Sequence, residues 1–128
     1  MAIAKVTNGE KPQARQYDLE DRTLLFAQNA RSFVKKMPKT LANLEDAKQL
    51  VRASGSVGAN YIEANECLSK KDFLMRIKIC RKEAKESRYW LRLIDVADDL
   101  TAQKRRDDLI REATELTNIF GAILRKSE

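Results

Sequence analysis

Residues 69–94 read SKKDFLMRIKICRKEAKESRYWLRLI, and this stretch determines the fold. Apolar or small side chains recur within it at alternating spacings of four and three residues: Phe73, Ile77, Cys80, Ala84, Ser87, Leu91 and Ile94. A repeat of this kind brings the side chains onto one side of a helix. Such a helix packs along its neighbour at a shallow angle of about 20°, the geometry of helical bundles. Ser69, with Asp72 three residues later, forms a capping-box pattern that marks the start of the helix.

A second segment near the C-terminus has the same apolar spacing. Its members lie four and three residues apart: Leu109, Ala113, Leu116, Phe120 and Ile123. The stretch before it, residues 98–101, is polar and supplies a connection with capping residues. We therefore predict that another bundle helix follows the first after a short loop.

A third apolar pattern starts at Asp18, which can cap a helix. It contains five residues at helical spacings: Leu19, Phe26, Ala30, Phe33 and Met37. Lys35 and Lys36 suit the C-terminal end of a helix dipole, and Pro38 prevents continuation. The pattern predicts a helix over residues 18–37.

The segment between these helices predicts one more helix, which begins near Asn43 as its N-cap. Its expected apolar positions are Leu44, Ala47, Leu50 or Val51, Ser54, Val57 or Gly58, and Ile62. Gly55 and Gly58 are poor helix formers, each costing about 1 kcal/mol relative to Ala. A loop that splits the helix is the alternative. Because the apolar spacing continues in phase, we favour one helix whose small residues allow a neighbour to approach closely.

Composition agrees with an all-α protein of one domain. The chain has 128 residues, of which 34% are charged and 43% hydrophobic, with only four glycines and two prolines. A β-sandwich or barrel would need many more turn residues. We predict an up-down-up-down four-helix bundle over residues 17–128, preceded by a flexible N-terminal arm over residues 1–16.

The residue types present argue against an enzyme. The chain has no histidine, and its two cysteines, Cys67 and Cys80, stand 13 residues apart. Neither a Cys/His zinc site nor a Cys/His nucleophile pair can be assembled, and the Glu-x-x-His motif of di-metal bundles is absent. We therefore expect no catalytic residues, no metal, no cofactor and no small-molecule substrate. We also expect a cytoplasmic protein without a membrane span, because no stretch resembles a signal peptide or a transmembrane helix.

Positive charge is concentrated on the helix predicted from residue 70 onward. Residues 70–92 contain nine cations and three anions, while the rest of the chain has sixteen of each sign, so this segment carries the whole net charge of +6. Six of the cations fall at helical spacings on one side and form what we call the basic stripe: Lys71, Lys78, Arg81, Lys85, Arg88 and Arg92. Like charges at such spacings repel each other and destabilise a helix.

Two interpretations of the basic stripe stay open. In the first, it binds the phosphates of RNA or DNA, which attract Lys and Arg without regard to base sequence. In the second, acidic residues of neighbouring helices neutralise it and it is only a solvated surface. A protein–protein module whose basic face binds an acidic partner is the main alternative function. Few aromatic residues lie near the stripe, so binding of single strands by base stacking is not indicated.

The residues from Phe73 to Ile94 with alternating spacings of four and three are the heptad positions of this helix. The same helix has a further set of apolar side chains outside these positions: Met75, Ile79, Tyr89 and Leu93. A helix that is apolar on two sides usually packs between neighbours. We therefore predict that these four residues form an interface between copies of the chain in a homo-oligomer.

Residues 50–64, LVRASGSVGANYIEA, carry a recognisable motif. Its elements are an Arg-Ala pair, a Ser-Val pair, an Asn three residues before a Glu, and a later Ser with Asp-Phe: Arg52-Ala53, Ser56-Val57, Asn60, Glu63-Ala64, Ser69 and Asp72-Phe73. Over roughly residues 18–124 the chain resembles the four-helix-bundle family encoded in intervening sequences of 23S ribosomal RNA genes, also called S23 ribosomal proteins. The resemblance implies a pentamer and a relationship to the accessory protein of diversity-generating retroelements, which is thought to engage nucleic acid through a basic surface.

The motif residues Arg52, Ser56, Asn60 and Glu63 are spaced by four, four and three residues. That spacing places them on or near one face of a helix. They form either a ligand site or a structural polar network in which Arg–Glu pairing fixes the helix register or a subunit contact. We favour the network, because buried polar groups are tolerated when they satisfy each other.

Overall fold

The computed structural model describes residues 12–127, and in this part of the chain it contains four helices and no strand. The helices are α1 (Pro12–Lys36), α2 (Leu41–Glu66), α3 (Lys70–Leu93) and α4 (Leu100–Ser127). Each helix packs against the next one along the chain, and α4 packs back against α1. The predicted all-α four-helix bundle is confirmed. None of the described helices is long and apolar enough to cross a membrane.

The first helix begins earlier than the sequence predicted. It starts at Pro12 rather than at Asp18. Proline suits the first position of a helix, because its missing N–H would have no partner there. The predicted arm over residues 1–16 therefore overlaps α1 in its last five residues, and residues 1–11 lie outside the described part of the chain. At the other end the helix stops at Lys36, close to the predicted boundary before Pro38.

The start of α2 also differs from the prediction. Thr40 is its N-cap, and the Thr40 side chain accepts a hydrogen bond from the backbone N–H of Asn43 at 3.2 Å. Asn43 is instead buried, and its amide nitrogen donates to the carbonyls of Pro38 and Asp95 at 2.9 and 2.8 Å. Its amide oxygen accepts from the backbone N–H of Asp95 at 3.0 Å. Asn43 therefore ties the start of α2 to the loop after α3.

The buried face of α2 matches the prediction at Ala47, Leu50, Ser54 and Val57 and differs from it at both ends. Leu44 and Ile62 are 42% and 52% exposed, so assigning them to the core was wrong. The buried residues follow a regular spacing of four and three, with Ala53 beside them: Asn43, Ala47, Leu50, Ser54, Val57, Tyr61 and Ala64. Two of these positions hold the polar residues Asn43 and Ser54. Ser54 was among the expected positions, whereas the apolar Leu44 was expected in place of the adjacent Asn43, and Ile62 in place of Tyr61.

The glycines of α2 lie inside one continuous helix, as predicted. A Cβ atom on Gly58 would lie only 2.9 Å from the Thr23 hydroxyl oxygen and 3.2 Å from the Thr23 Cβ. The absence of a side chain at Gly58 thus lets α1 approach α2 closely. The cost of glycine in a helix interior is offset by this packing.

The heptad residues of α3 and α4 form most of the remaining core. Those of α3 are buried from Ile77 to Ile94, with Phe73 half-buried at the start. In α4 the positions from Leu109 to Phe120 are buried, and Ile123 is half-buried. Ser69 accepts a hydrogen bond from the backbone N–H of Asp72, and Asp99 accepts one from that of Ala102. The loop before α3 and the loop before α4 therefore each supply a residue that caps the helix, as the sequence predicted.

Candidate functional site

The basic stripe lies on the flank of α3 that borders α4. All six of its side chains are exposed. Arg81 extends over α4, where its Nε atom lies 3.5 Å from the position that a Cβ on Gly121 would occupy. A cleft beside it is lined by Lys78, Arg81, Lys82, Lys85, Glu86 and Leu124. The heptad residues of α3 face the core, so the stripe is left facing solvent.

The acidic residues in the middle of α3 point the other way, towards α2. Arg52 of α2 lies 3.6 Å from a carboxylate oxygen of Glu83 and 3.6 Å from one of Glu86. Glu83 is buried, and Lys82 approaches its other oxygen at 4.0 Å. The two glutamates therefore pair with cations on the side of α3 away from the basic stripe.

The acidic residues of α4 are also engaged elsewhere. Glu112 and Glu115 accept hydrogen bonds from Arg22 of α1 at 2.7 and 3.1 Å. The bond to Glu112 raises the pKa of Arg22 above its ordinary value, with the charge of Glu112 adding to the effect. Asp108 pairs with its own helix, and the hydrogen bond from Lys104 holds the pKa of Asp108 below its ordinary value, assisted by the one from Arg111.

In the described part of the chain, the basic stripe is thus left without acidic partners. Among residues 19–127, no carboxylate lies within 4.0 Å of a charged nitrogen of any of its six members. Neutralisation by residues of α2 or α4, the second interpretation of the stripe, would require such pairs. Like charges at helical spacing therefore face solvent with their repulsion uncompensated.

The family motif on α2 forms a polar link to α3 through three of its four residues. The Asn60 amide nitrogen donates to the Ser56 hydroxyl and to the Ser56 carbonyl, both at 2.9 Å. The Asn60 oxygen accepts from Arg76 of α3 at 2.8 Å. Arg52, one turn before Ser56, lies 3.6 Å from Glu83 and 3.6 Å from Glu86 of α3. Glu63 is exposed and has no ion pair in the described part of the chain.

The network contains three residues that the sequence motif did not include: Arg76, Glu83 and Glu86. All three lie on α3, whereas the motif was defined on α2, and nothing in the spacing along the chain connects the two sets. The sequence offered one signal for Glu83, because this charged residue directly precedes Ala84, which is a buried heptad position. The pairs of Arg52 with Glu83 and Glu86 join α2 to α3, and a role of the network in fixing the helix register stays a prediction.

The residues predicted to contact other copies of the chain are largely accessible. Met75, Tyr89 and Leu93 are 52%, 57% and 47% exposed, and Ile79 is half-buried. Tyr89 packs edge-to-face against Trp90, with ring centroids 5.1 Å apart. These side chains form an apolar strip along the outer side of α3, next to the basic stripe.

The cysteines show no sign of a reactive site. Cys80 is fully buried in the core, and this burial raises the pKa of its thiol to about 12. Cys67 is partly exposed at the end of α2 and donates a weak hydrogen bond to the Glu63 carbonyl. Within the described residues, no group of three or more His, Cys, Asp or Glu side chains could hold a metal ion.

A larger cleft of about 500 Å³ lies between α1 and α4. Apolar side chains line it, and charged residues of both signs surround them: Arg22, Leu25, Phe26, Phe33, Arg105, Asp108, Leu109 and Glu112. Arg22 and Glu112 satisfy each other at its edge. The basic stripe therefore differs from this cleft in carrying charge of one sign only.

Comparison with known proteins places this architecture in a family. The model of the 23S rRNA-intervening sequence protein family matches residues 15–122. A crystal structure of a protein of unknown function from the S23 ribosomal protein family of Bacteroides thetaiotaomicron superimposes with a TM-score of 0.70. The two sequences are 27% identical, and the match covers 83% of this chain and 97% of the other. A search of curated proteins finds no match. The chain belongs to the 23S rRNA-intervening sequence protein family.

Proposed function

We propose that this protein is a non-enzymatic nucleic-acid-binding module that acts as a homo-oligomer and binds RNA through the basic stripe of α3. The observation that carries the proposal is the exposure of all six stripe residues, with no carboxylate within ion-pair distance in the described structure. Each like-charge pair at helical spacing costs a few tenths of a kcal/mol, roughly, in helix stability. A phosphate backbone would relieve that repulsion.

The shape and chemistry of the stripe favour phosphates over bases. Lys and Arg neutralise phosphates and release bound counterions, which supplies affinity without sequence readout. Tyr89 and Trp90 pack edge-to-face against each other, and Trp90 is half-buried, so few aromatic rings are free to stack on bases. The family description refers to sequences that intervene in 23S ribosomal RNA. RNA is therefore the nucleic acid that we propose.

Assembly would multiply these contacts. The exposed apolar side chains of Met75, Tyr89 and Leu93 lie on the same helix as the stripe, on an adjoining side. Packing copies of the chain through this apolar strip would bury it and present several basic stripes on one closed particle. Linked stripes bind a long polyanion more tightly than separate ones, because later contacts form at high effective concentration.

The experiment compares two variants with the same change in charge. The first replaces Lys78, Arg81, Lys85 and Arg88 of the stripe by Gln. The control replaces four exposed lysines elsewhere by Gln: Lys35, Lys36, Lys48 and Lys104. Affinities for a structured RNA, a duplex DNA and an acidic polypeptide are measured at one ionic strength, and circular dichroism checks that both variants keep the helical fold.

The proposal predicts a clear order of affinities. The parent and the control variant should bind RNA, and the stripe variant should bind it much more weakly whatever the RNA sequence. Equal losses in the two variants would show that only total charge matters, which contradicts a role for the stripe. Binding of the acidic polypeptide in place of RNA would support a protein–protein module instead.

A further inference from the structure

The middle of the basic stripe, at Arg81, meets a second arginine that comes from α4. Gly121 is buried within α4, and the position of a Cβ at this glycine lies 3.5 Å from Arg81 Nε and 3.5 Å from Arg125 Nη1. The two nitrogen atoms are therefore separated by no more than twice that distance. Because Gly121 has no side chain, both guanidinium groups can lie against the backbone of α4 at the same point.

Within the described residues, this convergence of charge has no neutralising partner nearby. The adjoining cleft of about 290 Å³ is lined by Lys78, Lys82 and Lys85 as well as by Arg81. Glu86 is the single carboxylate in its lining, and it lies 3.6 Å from Arg52 on the α2 side. No ion pair involves Arg81 or Arg125 in the part of the chain that the structure describes. Two arginines held together in this way repel each other unless an anion lies between them.

We infer that Arg81 and Arg125 form a binding site for a phosphodiester group, with Lys78 and Lys85 at its edge, so that α4 takes part in the RNA interface. A guanidinium group offers parallel N–H donors that match two phosphate oxygens, which makes a pair of arginines well suited to one phosphate. The inference rests on the proposed function and adds to it a residue outside the stripe. It also predicts unequal contributions along the stripe, with the middle part near Gly121 dominant.

The test uses two double variants with the same loss of charge. R81Q/R125Q removes the arginine pair, and R88Q/R92Q removes two exposed cations from the C-terminal end of the stripe. RNA affinity is measured by fluorescence anisotropy with one labelled RNA hairpin. R81Q/R125Q should bind roughly 10- to 100-fold more weakly than the parent, as expected for lost charge-assisted hydrogen bonds. R88Q/R92Q should lose about threefold, the size of an exposed electrostatic contact.

A third variant separates geometry from charge. R81K/R125K keeps both positive charges but loses the planar donor groups, so its affinity should lie between those of the parent and R81Q/R125Q. Full affinity in R81K/R125K would overturn the site, because point charges would then suffice. Equal losses in R81Q/R125Q and R88Q/R92Q would also overturn it, while leaving RNA binding by the stripe intact. A parent protein that binds no RNA would overturn both the site and the proposed function.

Discussion

Alanine substitutions at the two glycines of α2 should change stability in opposite directions. At Gly58 a new methyl group would lie 2.9 Å from the Thr23 hydroxyl oxygen and 3.7 Å from a backbone carbon of Thr23. Thr23 is buried, and its hydroxyl donates to the Glu20 carbonyl at 2.9 Å, so it has little room to move. At Gly55 the nearest atom is Arg31 Nη2 at 3.2 Å, the end of a flexible and exposed side chain.

The magnitudes follow from two opposing effects. Replacing a glycine in a helix interior by alanine stabilises the folded protein by up to about 1 kcal/mol. Forcing a methyl group into a closely packed contact costs about 1–3 kcal/mol. G55A gains the first effect with little of the second, since Arg31 can move aside, and should be more stable by about 0.5–1 kcal/mol. G58A suffers the second effect fully, and should be less stable by about 1 kcal/mol.

The assay is thermal and urea unfolding followed by circular dichroism, at one fixed protein concentration because assembly would also stabilise the fold. A change of 1 kcal/mol shifts the Tm of a domain of this size by roughly 4 °C, so the two variants should differ by roughly 8 °C. Adding T23A to G58A removes the clashing oxygen, and the double variant should lose less stability than the two single changes together. A G58A protein at least as stable as G55A would refute the close packing of α1 against α2.

Three further predictions concern the core and the outer side of α3. A thiol reagent at pH 8 should modify Cys67 but not Cys80 in the folded protein, and both cysteines after denaturation. The reason is that a pKa of about 12 leaves only about one thiolate in ten thousand at Cys80. Labelling of both cysteines before unfolding would be inconsistent with the buried thiol. N43A should lower the free energy of unfolding by about 2 kcal/mol or more in urea titrations, because it leaves buried backbone groups without partners; an unchanged midpoint would argue against the role of Asn43. If the protein assembles as proposed, Tyr89→Lys combined with Leu93→Lys should reduce the mass measured by light scattering to that of a monomer, and an unaltered oligomeric mass would exclude this face from the contact.

Much of the fold follows from the sequence because apolar periodicity determines it. The heptad positions of α3 and α4 are also the buried positions, and the caps at Ser69 and near Asp99 mark the helix starts. The ends of the buried face of α2 were harder to identify, since the polar Asn43 occupies a core position beside the apolar Leu44, and Tyr61 occupies one beside Ile62. Burial of Asn43 depends on hydrogen bonds to a loop more than 50 residues away. No local pattern reveals such a partner.

The part of the candidate site that lies on α3 could be predicted from the sequence. The contacts that join it to other helices could not. The spacing of cations along α3 places the basic stripe on one side, and its exposure agrees with that expectation. The pairing of Arg52 with Glu83 and Glu86 depends on how α2 and α3 are aligned, and so does the contact between Arg76 and Asn60. The approach of Arg125 to Arg81 requires Gly121 on a fourth helix. Contacts of this kind are set by packing, which the periodicity of a single helix does not specify.

The most direct test of the account is the salt dependence of RNA binding by the parent and by the variant with Gln at Lys78, Arg81, Lys85 and Arg88. The logarithm of the binding constant should fall linearly with the logarithm of salt concentration, with a slope of about −0.7 to −0.9 for each phosphate neutralised. Removing four phosphate contacts should therefore reduce the magnitude of the slope by about 3 units. An affinity and a slope that are the same in the two proteins would contradict phosphate binding by the basic stripe of α3.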